Sequence, residues 1–138
     1  MRFVRLPAED AQTERPSPDW PAAYRAGRRI GVISLGEQSL FFRKGWTVYA
    51  LPYARLSRYF RRVLAVPARI GCCAGGELRI EHLVLCAVDP ASGVEKELAQ
   101  IQLPGERAAK AVMNELRVLA PEAASGRPAQ VAEGGDAP

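Results

Sequence analysis

Two groups of side chains in this 138-residue chain are of types that do chemistry. The first is basic: Arg43, Lys44, Arg55, Arg58, Arg61 and Arg62, interleaved with Trp46, Tyr53, Tyr59 and Phe60. Guanidinium and ammonium groups neutralise phosphates and aromatic rings offer stacking faces. Convergence of the six would therefore suit a phospholipid headgroup or a nucleic acid. The alternative is a solvated strand face whose edge arginines discourage aggregation. The second group is Cys72, Cys73, His82 and Cys86. Thiolates and imidazoles bind zinc, and a thiolate beside an imidazole is a nucleophile with its base. Spacing opposes both readings, because adjacent strand residues point to opposite faces and His82 to Cys86 spans about 13 Å along an extended strand. There is no CxxC motif, no glycine-rich phosphate loop and no G-x-S-x-G. The expectation is a non-catalytic chain with no cofactor and no metal. His82 is expected to be a hydrogen-bonded core histidine beside a buried Cys86 thiol.

The elements that must position the basic group turn on "LPYARLSRYFRRV", residues 51–63. Read with a period of two, Ala54, Leu56, Arg58, Phe60 and Arg62 share one face, and Arg55, Ser57, Tyr59, Arg61 and Val63 the other. Read with a period of 3.6, Leu56, Tyr59, Phe60 and Val63 form a stripe opposite the arginines. Pro52 favours an extended Leu51. Aromatic and β-branched residues are frequent, no good N-cap precedes, and strand patterns come before. These features predict a strand, with its arginines divided between two faces.

Around that stretch, turn signals recur about every eight to twelve residues, the spacing of an all-β domain. "RIGVISL", "SLFFRK" and "WTVYAL" read as a three-strand meander, with a hairpin turn and positive φ around Lys44-Gly45. "LAVPARIGCCAGG" reads as an interrupted strand with Pro67 at an edge or bulge. In "ELRIEHLVLCAVD", Leu78, Ile80, His82, Val84, Cys86 and Val88 form one face; Leu83 and Leu85 on the other predict that the far half is covered on both sides. "DPASG" is a turn, and "VEKELAQIQL" a last strand, bringing the count to about seven. "PGERAAKAVMNELRVLAP" then predicts a helix whose Ala108, Ala109, Val112, Met113, Leu116 and Leu119 form an apolar stripe for the open end of a bent sheet.

The chain is long enough for one domain with its own core. We divide it into an irregular N-terminal arm over 1–29, a domain over 30–120 and a disordered tail over 121–138. The tail holds three Pro, three Gly and five Ala, with Val131 its only larger aliphatic residue. No apolar run approaches the roughly 20 residues that span a bilayer, and the start lacks a signal-peptide core. Three cysteines, two of them adjacent, suit a reducing compartment. A cytoplasmic location is expected. The net charge of +4 is uneven: residues 30–69 hold seven Arg or Lys against Glu37 alone, whereas residues 70–120 hold five against seven acids. That asymmetry suits an anionic partner, or two copies pairing basic half to acidic half.

Seven strands followed by one helix is the order of the pleckstrin-homology-like fold. "GEQSLFFRKGWTVYALPYARLSRYFRRV" resembles bacterial pleckstrin-homology-like and GRAM-type domains. Their pattern is a Lys-Gly turn, an apolar-Pro-Tyr step and an apolar residue about four positions on. Here these are Lys44-Gly45, Leu51-Pro52-Tyr53 and Leu56, and the similarity spans residues 30–119. The resemblance implies a barrel of about seven antiparallel strands capped by the C-terminal helix. It also implies a binding or assembly module for protein partners or self-association, with phosphoinositides as ligands of some members. Those members carry spaced Lys and Arg around the first hairpin loop. Here that loop, "LGEQS", is short and acidic.

Overall fold

The computed structural model describes residues 1–6, 17–67 and 77–126. It is mainly β, as expected, with two helices. The strands are β1 (Arg2–Arg5), β2 (Arg28–Ile30), β3 (Ile33–Leu35), β4 (Ser39–Lys44), β5 (Thr47–Pro52), β6 (Arg58–Pro67), β7 (Glu77–Val88), β8 (Glu95–Leu103) and β9 (Ala124–Ser125). The helices are α1 (Trp20–Ala26) and α2 (Glu106–Leu119).

Sheet A has the order β1-β5-β4-β3-β2 and sheet B the order β8-β7-β6-β9. Neither closes into a barrel, which corrects the expectation of one. No described ladder joins β8, at the edge of sheet B, to sheet A. Nor are all pairs antiparallel: β1 runs parallel to β5, and β9 parallel to β6. Both exceptions come from the segments next to the chain ends.

Local chemistry explains the hairpins. β2 and β3 are joined by Gly31-Val32 and β4 and β5 by Gly45-Trp46, each a two-residue loop with its glycine near φ +60°. Positive φ at the first loop position matches the twist of the flanking strands. The segment from Arg28 to Leu35 is thus two strands where one was expected. After Pro52 a 3-10 turn, Tyr53–Arg55, carries the chain from sheet A to sheet B. The Tyr53 hydroxyl donates to the Gly36 carbonyl at 2.8 Å, and the Tyr53 N–H to the Gln38 carbonyl, so the Pro-Tyr step clamps the β3–β4 turn. Burial first, then the Glu115 charge, raises the Tyr53 pKa and keeps it a donor.

The stretch from Arg58 is a strand, as the context predicts, but it runs unbroken to Pro67 rather than stopping for a further strand. Cys72 and Cys73 lie outside the described residues. The main core lies between the sheets. Ile33, Leu35, Leu40, Phe42 and Leu51 face Tyr59, Leu83, Leu85, Ile101 and Leu103, and α2 fills the open side with Ala109, Val112 and Leu116. β7 therefore turns Glu81, Leu83 and Leu85 inward, the opposite of its longest apolar alternation; Leu83 to Ala87 are nevertheless all buried, so that half is covered on both sides.

The N-terminal arm is not irregular throughout. Trp20 and Tyr24, one turn apart on α1, pack with Phe41, Val48 and Ala50 on the outer face of sheet A. Pro21 stands in the first turn, where its missing N–H costs nothing. Edge-on ring contacts link Tyr24 to Phe3 at 5.9 Å and to Phe41 at 6.0 Å. The tail is not disordered from its start either: residues 121–126 are described and include β9, while 127–138 lie outside the described residues. Among the described residues no helix is long and apolar enough to cross a membrane.

Candidate functional site

The fold does not bring the six basic residues onto one surface. Arg43 and Lys44 end β4 in sheet A, Arg55 stands in the 3-10 turn, and Arg58, Arg61 and Arg62 belong to β6 in sheet B. Alternation divides the last three. Arg58, Phe60 and Arg62 share the outer face, whereas Arg61 lies on the inner face with Tyr59.

Register then sets acids opposite the β6 arginines. Arg61 donates Nε and Nη2 to the two carboxylate oxygens of Glu81, at 2.5 and 2.8 Å, with Glu106 3.8 Å away. Hydrogen bonding from Arg61 holds the Glu81 carboxyl below the usual carboxylate range despite its burial. Arg62 reaches across β7 to Glu97 at 2.6 Å and to Gln100 Oε1 at 2.6 Å. Arg58 donates to Glu95 at 2.8 Å and to the Gly126 carbonyl at 3.1 Å.

These long side chains also act as a cover. Phe60, Val84 and Cys86 form a small buried cluster on the outer face of sheet B, and the Arg62 guanidinium lies 5.4 Å from the Phe60 ring centroid. Burial first, then Glu95 and Glu97, pushes the Cys86 thiol up to about 11, so it stays protonated at neutral pH. His82, four residues before Cys86 on the same strand, is buried, but among the described residues it makes no hydrogen bond: Nδ1 is sealed from solvent without a partner. The hydrogen-bonded histidine expected beside Cys86 is thus half right. Among the described residues no three His, Cys, Asp or Glu side chains gather as metal ligands.

Two clefts were not evident in the sequence. One, of about 570 Å³, lies along the β8 edge and is lined by Val32, Phe42, Arg43, Lys44, His82, Gln100, Ile101, Gln102, Leu103 and Pro104 together with Gly31. The other, of about 620 Å³, lies beside α1, with Asp19, Glu37 and Glu115 around Trp20 and Phe41. No local pattern marks either, since each draws on segments far apart in the chain. The acids facing the arginines were more accessible to reasoning, because pairing β6 with β7 and β8 in register puts Glu81 and Glu97 within reach.

No known protein family, curated protein or solved structure matches this chain.

Proposed function

We propose that this chain is a non-catalytic assembly module of the pleckstrin-homology-like kind, working in the cytoplasm and pairing with a second copy through β6. The observation that carries the reading is the outer end of the β6–β7 hairpin. β8 pairs with β7 only from Glu81 to Val88, so the pairs from Leu64–Ile80 to Pro67–Glu77 project as a two-stranded ribbon. Such ribbons are marginal alone in water. Leu64 and Leu78, on the same face of the ribbon, are 39% and 46% exposed. Beyond Tyr59, no described residue pairs with the other edge of β6.

An open edge is completed by another strand, and a strand from an identical chain gives a closed, two-fold pair. Glu81 and Glu97 already neutralise Arg61 and Arg62, so two β6 edges can approach without like-charge repulsion. Among the described residues, the succession of seven strands and a helix between Arg28 and Leu119 supports the pleckstrin-homology-like reading. The rival reading, a broad anionic-ligand face for phospholipid or nucleic acid, needs the basic residues together, and those on β6 are engaged by carboxylates.

Sedimentation equilibrium tests the assembly. The wild-type chain is expected to reach twice its 15.0 kDa mass at micromolar concentration, and Leu64→Lys to remain at the single mass. A wild-type chain that stays monomeric up to about millimolar concentration, where roughly 4 kcal/mol of association free energy would already register, excludes the reading.

A further inference from the structure

The cleft along the β8 edge is lined by two cations, Arg43 and Lys44. Arg43 and Lys44 are exposed and meet no carboxylate among the described residues. Arg43 Nε donates to the Gly45 carbonyl at 2.8 Å, which fixes the stem and leaves the two terminal nitrogens of the fork free to donate. No acid among the described residues lines the cleft. Gln100 accepts from Arg62 through Oε1, so its NH₂ remains a donor. Val32, Phe42, Ile101 and Leu103 supply apolar walls.

His82 adds an independent pointer. Among the described residues neither ring nitrogen has a hydrogen-bond partner, and only Nδ1 is sealed. Nδ1 is sealed without a partner, so any further hydrogen bond of the ring falls to Nε2. His82 lines the cleft with Arg43 and Lys44, and an imidazole N–H is a donor to an oxyanion. Two positive charges, neutral donors and an apolar wall match a doubly charged oxyanion carried on an apolar body. We propose that this cleft binds a phosphate monoester with an apolar body, its phosphate held by Arg43, Lys44 and His82. The site is separate from the β6 edge, and neither reading requires the other.

Because His82 is the chain's only histidine, its ring C–H resonances report on the cleft in the intact protein without labelling. Octyl phosphate, titrated below its micelle concentration, is expected to shift them saturably. Lys44→Gln and Arg43→Gln are each expected to weaken that binding about tenfold, whereas Arg117→Gln, on the far end of α2, leaves it unchanged. Both cleft variants replace exposed side chains, and an unchanged urea midpoint verifies their fold. A parallel arm uses phosphatidylcholine vesicles with and without phosphatidate. A response to octyl phosphate identifies a small soluble ester as sufficient; co-sedimentation with phosphatidate vesicles alone assigns the phosphate to a lipid headgroup. Absence of both responses, or responses that Lys44→Gln and Arg43→Gln leave intact, overturns the proposal.

Discussion

Arg61 and Glu81 show how a charge that looked available becomes structural. The Glu81 side chain is only 6% exposed and sits one alternation below Leu83 at the rim of the core, where an unpaired carboxylate would be costly. Its pKa is depressed in the fold. The pair therefore contributes stability in full above the unfolded carboxylate value of about 4.3, and that contribution is lost as pH falls through the lower folded value. Arg61→Leu is expected to cost about 2–3 kcal/mol at pH 7, with the gap to wild type narrowing below pH 4 as Glu81 takes a proton. Urea midpoints at both pH values measure it, and parallel curves would contradict the assignment. In the sequence, Glu81 looked solvent-facing because the longer apolar alternation in β7 belonged to Ile80, Val84 and Cys86. Hydrophobicity could not choose the core face, since arginine stems and ion pairs cover the other one.

At the scale of elements, α1 is the clearest case of tertiary packing making a helix that its sequence would not sustain. Seven residues with a proline in the first turn are too few for stable helix in isolation. The helix is held by Trp20 and Tyr24 against Phe41, at ring distances of 6.5 and 6.0 Å, and by the buried Ser34 hydroxyl, which donates to the Tyr24 carbonyl at 2.7 Å. The chain then leaves α1 through Gly27, where an added Cβ would lie 2.3 Å from Ser34 Oγ and 3.0 Å from the Leu35 backbone. Trp20→Ala is expected to lower stability by about 3 kcal/mol and to abolish much of the near-ultraviolet dichroism of this aromatic cluster. A spectrum and melting temperature equal to wild type would mean that α1 does not depend on the contact. The aromatic pair four residues apart was the signal available beforehand, but four prolines and scattered charges obscured it. α2, by contrast, was legible to within a residue or two, because fourteen residues give its apolar stripe room to repeat.

For the whole molecule, the mainly β class, the hairpin glycines and the closing helix follow from local pattern. Sheet closure does not, because it depends on which edges meet across long separations. The molecule consists of a core shared by two sheets and α2, with a ribbon reaching beyond it. Amide hydrogen exchange on a dilute sample is expected to follow that division. Amides of Leu64–Val66 and Leu78–Arg79 should exchange within minutes, and those of Leu40–Phe42 and Leu83–Leu85 near the rate set by global unfolding. Concentrating the sample should slow exchange along β6 alone; uniform protection at every concentration would contradict both the ribbon's weakness and the proposed pairing of copies through β6.

The two parallel pairings bear on how the chain is made. β1 covers Thr47–Ala50 of β5 and β9 covers Arg58 and Tyr59 of β6, the strands on either side of the 3-10 turn that links the sheets. On the ribosome, β1 has already emerged when β5 is synthesised, so that edge meets its guard at once. The Arg58–Tyr59 end of the β6 edge waits for Ala124 and Ser125, until every other described strand and both helices have been translated. During synthesis, neighbouring nascent chains on one messenger thus present the same unguarded strand to one another, and the order of translation alone gives β6 its longest opportunity to find a copy of itself.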